Sequence, residues 1–125
     1  MYNILICDDE QDIVNALKIY LSGGDYCLFE ASNGREALEV VEKNDIHLIL
    51  MDIMMPGIDG LEATRQIRAL DREDAATTPI IAVSANAFAD DRRLSREAGM
   101  DAHLSKPVSS QELVEALAHI AADAS

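Results

Sequence analysis

The chain is short of basic side chains. Among its 125 residues, 10 Lys and Arg stand against 23 Asp and Glu, and the formal net charge at pH 7 is -13. Nucleic-acid binding depends on Lys and Arg that neutralise phosphates. The charge balance therefore predicts no direct contact with nucleic acid, whereas an excess of carboxylates suits a divalent cation.

Cysteine and long apolar runs are also scarce. Cys7 and Cys27 both lie in apolar stretches, where a thiol usually acts as a small buried hydrophobic side chain. Two such cysteines do not make a disulfide framework, so we expect a reducing compartment. No apolar run reaches membrane-spanning length, and residues 1–10 lack the features of a signal peptide. We therefore expect a cytoplasmic protein without membrane insertion.

Predicted strands and helices alternate along the rest of the chain. Five apolar runs of strand length are each followed by a stretch in which apolar residues recur at helical spacing. The strands are predicted at Asn3–Cys7, Tyr26–Ala31, 48–51, Ile80–Val83 and Ala102–Leu104. This alternation predicts an α/β fold in one domain, 1–125, with a doubly wound five-stranded parallel sheet and helices on both faces.

Local signals mark several helix ends. Asn33 with Glu36, and Ser109 with Glu112, have the spacing of a capping box, which predicts a helix start after each pair. The fourth helix is predicted from about Phe88 to Ala98, since a glycine follows where a C-terminal cap belongs.

Polar residues stand where the predicted strands end. Asp8 and Asp9 follow the first strand, Asp52 ends the third, Ser84 ends the fourth and Lys106 follows the fifth. In a parallel sheet of strand order 2-1-3-4-5, these ends share one edge, and the crevice lies between strands one and three. Each residue alone has an ordinary explanation, as a helix cap, a turn residue or a solvated charge. Together they favour one shared site.

The chemistry of that set points to a phosphoryl group. Close carboxylates repel one another unless a hard cation lies among them, and a site of few carboxylates, a carbonyl and waters suits Mg²⁺. A cation, Lys106 and the Ser84 hydroxyl around one carboxylate can hold a phosphoryl group. Asp52 is the predicted nucleophile, because carboxylates form aspartyl phosphates.

Four motifs resemble those of response-regulator receiver domains, the phosphoacceptor modules of two-component signalling and phosphorelays. They are CDDE at 7–10, MDIMMPGIDG at 51–60, SANA at 84–87 and SKP at 105–107. The resemblance covers essentially the whole chain and implies a flavodoxin-like sheet. It implies that a sensor histidine kinase or a phosphotransfer protein phosphorylates Asp52. It also implies that an output protein, or a fused output domain, reads the surface of helix four, strand five and helix five.

The resemblance further implies a metal site. Mg²⁺, with Mn²⁺ as an alternative, is bound by Asp9, Asp52 and the backbone carbonyl of Met54. Asp8 helps to hold the metal through water.

The phosphoryl group has its own implied contacts. Lys106 contacts it, Ala85 leaves room for it, and Ser84 moves to donate a hydrogen bond to it. The peptide bond before Pro107 is expected to be cis.

His103 departs from the family pattern, which usually has Tyr or Phe at this place on strand five. That ring moves inward when Ser84 engages the phosphoryl group. We expect Ser84 and helix four to move here while His103 contributes weakly, as a partly exposed histidine on an edge strand. Met54 and Asn86 occupy positions that influence how water reaches the acyl phosphate. Met54 orients water poorly, whereas Asn86 can orient it, and together they predict a phosphorylated state of moderate to long life.

Three other functions stay open. A flavodoxin-type electron carrier would need a glycine- and hydroxyl-rich loop at residues 8–10 and aromatic rings for the flavin, but aromatics make up 4% of the chain. A Mg²⁺-dependent aspartate-type phosphatase normally has a second acid where Met54 stands. A degenerate receiver would act only as a docking module, although the expected site residues are present.

The extent of the parent protein also stays open. The start at Met1 favours a single-domain regulator, whereas residues 84–87 and 99–101 resemble receivers fused to hybrid histidine kinases.

Overall fold

Five parallel strands form one sheet in the order β2-β1-β3-β4-β5. The computed structural model describes residues 2–55, 57–70, 78–84, 89–106 and 108–124, without the side chains of 89–92 and 119–124. The strands are β1 Tyr2–Cys7, β2 Tyr26–Ala31, β3 Leu48–Asp52, β4 Ile80–Ser84 and β5 Ala102–Ser105. The predicted strand order and the predicted α/β architecture are confirmed.

A helix follows each strand. The helices are α1 Gln11–Leu21, α2 Gly34–Lys43, α3 Gly60–Arg68, α4 Ala89–Ala98 and α5 Ser110–Ala124. Asn33 Oδ1 accepts a hydrogen bond from the Glu36 N–H at 2.9 Å, and Ser109 Oγ accepts one from the Glu112 N–H at 3.1 Å. Both predicted helix starts are confirmed. The Glu36 carboxylate accepts from the N–H and hydroxyl of Ser32, one residue before the position that a strict capping box would use.

Side chains of β3 alternate between two hydrophobic cores. Ile49 and Met51 belong to the core under α2 and α3, while Leu48 and Leu50 belong to the core under α1 and α5. All five residues of β3 are buried, as expected for a central strand covered on both faces. This burial places Asp52, the last residue of β3, at the carboxyl edge of the sheet.

The prediction that both cysteines are buried holds for Cys7 and is wrong for Cys27. Cys7 lies on β1 inside the sheet, whereas Cys27 is half-buried. The reason is that β2 is an edge strand with a neighbour on one side only. Both thiols are free. Within the described ranges, no helix is both long and apolar enough to cross a membrane.

Candidate functional site

Asp52 is a buried carboxylate at the end of β3, with 2% of the residue exposed. Its Oδ1 accepts a hydrogen bond from the Met54 N–H at 3.2 Å. Its Oδ2 makes no hydrogen bond to any described residue, but it lies 3.4 Å from the Lys106 Nζ. At the strand end, Oδ1 of Asp52 is therefore hydrogen-bonded, whereas Oδ2 has no hydrogen bond within the described part of the chain.

Asp8 reaches the same place from β1. The residue is 4% exposed. Its Oδ1 accepts from the Glu10 N–H at 2.9 Å, and its Oδ2 lies 3.0 Å from the Lys106 Nζ. Both oxygens are therefore engaged, which holds the carboxylate in one orientation. Asp9 is exposed and lines an open crevice of about 610 Å³ beside the loops that follow β2 and β3.

Lys106 connects the acids. Its Nζ lies 3.0 Å from Asp8 Oδ2, 3.4 Å from Asp52 Oδ2 and 3.4 Å from Glu10 Oε1, and 10% of its side chain is exposed. Its backbone N–H donates to the Ser84 carbonyl at 2.8 Å, which ties the end of β5 to the end of β4. Asp8, Asp52 and Lys106 thus lie together, as their positions at the strand ends predict. The contact of Glu10 with Lys106 was not predicted, and its one signal in the sequence is the third acid in the run 8–10.

Burial and charge shift the titration of these groups. Desolvation, and then the charge of Asp8, raise the pKa of Asp52 to about 7, although Lys106 and the Met54 N–H act in the opposite direction. Burial works against the charged form of Lys106, but its hydrogen bond to Asp8 and the charges of Asp52, Asp8 and Glu10 outweigh it and raise the pKa of the lysine. Lys106 therefore stays cationic at neutral pH, whereas Asp52 gains or loses its proton near pH 7.

The loop after β3 passes very close to Asp52. Gly60 donates its N–H to the Ile53 carbonyl at 3.0 Å. A Cβ at position 60 would collide with the backbone carbonyl of Asp52, so a side chain there would push α3 away from the strand end. Glycine at position 60 thus permits the close approach of α3 to the end of β3.

Ser84 and His103 lie on the neighbouring strands. Ser84 is buried at the end of β4 and is opposite Ser105 of β5. His103 is half-buried, and both of its ring nitrogens are shielded from solvent. The histidine is partly exposed, as expected, but its polar atoms point away from water. Ala85, Asn86 and Pro107 lie outside the described residues, so their expected roles stay predictions.

The donor set fits a hard cation such as Mg²⁺. Asp8, Asp9 and Glu10 each offer a carboxylate oxygen within 4.8 Å of the others. Among the described residues, Asp52 is not part of this group, but its buried Oδ2 lies 3.4 Å from the Lys106 Nζ, which also contacts Asp8 and Glu10. Oxygen ligands of this kind are those that Mg²⁺ prefers.

A family model for the response regulator receiver domain matches residues 4–118. The chain belongs to the response-regulator receiver family. Receiver domains serve two-component signalling, and phosphorylation and Mg²⁺ binding in the active site are typical of them. The resemblance drawn from the four motifs is therefore confirmed.

Individual proteins agree with this assignment. The transcriptional regulatory protein ResD of Bacillus subtilis is 41% identical over 111 residues, which make up 89% of this chain and 44% of ResD. The chain thus spans less than half the length of this curated relative. Chemotaxis protein CheY4 of Vibrio cholerae superposes with a TM-score of 0.89 at 25% identity, covering 96% of this chain and 98% of that one.

A third relative holds a metal. The receiver domain of the sensor histidine kinase PA1611 of Pseudomonas aeruginosa superposes with a TM-score of 0.85 at 34% identity, covering 94% of this chain and 95% of that one. A magnesium ion is coordinated in its active site cleft.

Proposed function

We propose that this receiver domain accepts a phosphoryl group on Asp52 in a Mg²⁺-dependent reaction. The donor is the phosphohistidine of a sensor histidine kinase or a phosphotransfer protein. The observation that carries the proposal is the Asp52 carboxylate itself, buried at a strand end with Oδ2 facing the Lys106 ammonium at 3.4 Å. A buried carboxylate beside a buried lysine is a costly arrangement, and phosphoryl chemistry gives a reason for it.

Asp9, Asp52 and the Met54 carbonyl would bind the metal directly, with Asp8 acting through water. When bound, Mg²⁺ offsets the negative charge that the carboxylates and the phosphoryl oxygens bring together. Mn²⁺ offers the same oxygen chemistry. The acidic group of Asp8, Asp9 and Glu10 supports a cation at this edge of the sheet, as does the magnesium ion in the cleft of the PA1611 receiver.

The residues of the chain carry the transfer. The Met54 N–H holds Oδ1 of Asp52, so Oδ2 is the attacking atom. A new bond forms between Oδ2 and phosphorus, and the bond from phosphorus to the donor imidazole nitrogen breaks, with its electron pair left on that nitrogen. Lys106 binds a phosphoryl oxygen, and Ser84 donates its hydroxyl to another. Before a cation binds, Asp8 holds the lysine through the 3.0 Å contact.

For signalling, we expect phosphorylation to shift the population of conformations of the surface formed by α4, β5 and α5. When the Ser84 hydroxyl moves onto the phosphoryl group, we expect α4 and its neighbours β5 and α5 to change their exposed surface. An output protein or a fused output domain then reads that surface. Since ResD is a transcriptional regulatory protein of about twice this length, a fused output domain is one form of this readout. A cytoplasmic location stays a prediction, in keeping with the free thiols of Cys7 and Cys27.

Incubation with Mg²⁺ and a small acyl-phosphate donor tests the proposal. Intact-mass measurement should show the gain of one phosphoryl group by the wild type and none by Asp52→Asn. The matched control is Asp12→Asn, since Asp12 is an exposed acid in the first turn of α1, and it should gain mass as the wild type does. A gain in all three proteins, or in none, contradicts the proposal. Sustained hydrolysis of an added phosphate ester would favour the phosphatase instead, and a chain that binds a partner but never gains mass would be a docking module.

A further inference from the structure

Lys106 is shared among three carboxylates that differ in burial. The side chains of Asp8 and Asp52 are 2% and 3% exposed, whereas the Glu10 side chain is 61% exposed. The Glu10 N–H also donates to Asp8 Oδ1, so the same residue holds Asp8 through its backbone and Lys106 through its side chain. Glu10 is therefore the outer partner of the lysine, next to the two inner ones.

This arrangement poses a problem for the reaction. The Lys106 Nζ lies 3.4 Å from Asp52 Oδ2, the atom that must attack phosphorus. A divalent cation that binds Asp9 and Asp52 repels the ammonium and weakens the hold of the inner carboxylates on it. The lysine must then leave Asp52 and still remain close enough to meet the incoming phosphoryl group.

We propose that Glu10 is a positioning residue that holds Lys106 while a divalent cation occupies the inner carboxylates. The inference rests on the proposed function, because it assumes a cation at Asp9 and Asp52. The four-carbon stem of a lysine lets its ammonium move among neighbouring carboxylates. Glu10 is already in contact with the lysine at 3.4 Å. When Lys106 loses its contacts with Asp8 and Asp52, it therefore remains paired with Glu10.

Thermodynamic linkage distinguishes this role from simple electrostatic attraction between Glu10 and the cation. If the Glu10–Lys106 contact is stronger with the cation bound, then by linkage that contact strengthens cation binding. Removing the Glu10 charge should then weaken Mg²⁺ binding more when Lys106 is present than when it is absent. If Glu10 acts only by attracting the cation, the loss should be equal in both backgrounds, or larger without the lysine.

Isothermal titration calorimetry with Mg²⁺ alone measures this difference. The four proteins are the wild type, Glu10→Gln, Lys106→Met and the double variant. We expect Glu10→Gln to raise the Mg²⁺ Kd about three- to tenfold in the wild type, with little change in the Lys106→Met background. Asp12→Asn removes the same charge from a nearby exposed site and should change the Kd little in either background. An equal loss in both backgrounds, or a larger loss without Lys106, overturns the inference.

Glu10→Asp gives a second readout that does not depend on the folding of Lys106→Met. The shorter side chain keeps the charge and draws the carboxylate back from the lysine, so we expect weaker Mg²⁺ binding than in the wild type. Binding as tight as in the wild type would mean that charge alone matters, which overturns the positioning role. Asp52→Asn distinguishes a failure of the proposed metal site from a failure of the proposed role of Glu10. If it binds Mg²⁺ as tightly as the wild type, the proposed site is wrong and the role of Glu10 falls with it.

Discussion

The Lys106 ammonium lies 3.4 Å from Asp52 Oδ2, on the carboxylate oxygen that we propose to be phosphorylated. The lysine enters from the loop after β5, and the aspartate ends β3, two strands away in the sheet. This ion pair lowers the cost of burying the negative charge of Asp52 when no cation or phosphoryl group is bound. It also means that changes at Asp52 should be visible in the stability of the protein.

The stability of the metal-free protein should depend on pH through Asp52. Burial raises the pKa of this carboxyl to about 7 from its ordinary value of 3.8, so folding favours its protonated form. The stability that Asp52 contributes is therefore complete below about pH 3.8 and is lost as the pH rises to about 7. We expect Asp52→Asn to stabilise the chain, with a gain that grows from pH 5 to 7 and is constant above.

Denaturant unfolding in the presence of a chelator measures that gain. The free energy of unfolding of the wild type and of Asp52→Asn should be compared at pH 5, 6, 7 and 8. A difference that is the same at every pH, or one that shrinks as the pH rises, would show that Asp52 does not titrate as stated.

Mg²⁺ should stabilise the wild type and leave Asp52→Asn nearly unchanged. A ligand at about 100 times its Kd adds about 2.7 kcal/mol to the free energy of unfolding when it binds only the folded chain. Thermal unfolding at pH 8 with increasing Mg²⁺ provides the measurement, and Ca²⁺ serves as a comparison cation. An equal rise in Tm for both proteins would place the cation elsewhere.

Arg68 should matter for stability although it is remote from Asp52. Its guanidinium donates to the Thr78 carbonyl at 2.7 Å and to the Gly99 carbonyl at 2.8 Å and 3.0 Å, and it pairs with Asp101 Oδ2 at 3.0 Å. The side chain thus joins the end of α3 to the segments before β4 and after α4. We expect Arg68→Met to reduce the free energy of unfolding by about 2 to 3 kcal/mol, because carbonyls and a carboxylate lose a charged donor.

Arg65→Met is the matched control for this change. Arg65 is an exposed arginine one turn earlier on α3, and its loss should change the stability by less than about 0.5 kcal/mol. Urea unfolding compares the two variants. Equal effects would mean that the contacts of Arg68 contribute no more than an exposed charge does.

Met54 should lengthen the life of the phosphorylated state. The residue is 68% exposed and follows Asp52 by two positions, where an apolar group cannot orient an attacking water. We expect Met54→Asn to decay faster than the wild type and Met54→Leu to decay at the same rate. Loss of the phosphoryl mass with time, after removal of the donor, gives both rates. Unchanged decay in Met54→Asn would show that this position does not guide the water.

Sequence patterns predicted the fold well, because burial in β3 and its neighbours imposes nearly continuous apolar runs. They also placed Asp8, Asp52, Ser84 and Lys106 at one sheet edge, since a strand end and a parallel topology determine that much. Exposure at an edge was harder to predict, and Cys27 turned out half-buried because β2 has one neighbour.

Contacts between long side chains distant in sequence were beyond prediction. Glu10 meets Lys106 across 96 positions, and Arg68 meets Asp101 across 33. Each pairing depends on which rotamer a long side chain adopts in the folded protein. No local pattern around either residue specifies that choice.

The central claim is that Asp52 is the phosphoacceptor, and the direct measurement is to map the modified residue. After incubation with Mg²⁺ and an acyl-phosphate donor, borohydride reduction converts an aspartyl phosphate to homoserine, which tandem mass spectrometry locates in a peptide. We predict homoserine at position 52 and at no other aspartate. Homoserine at a different aspartate, or a phosphoryl group on another type of residue, would contradict the account.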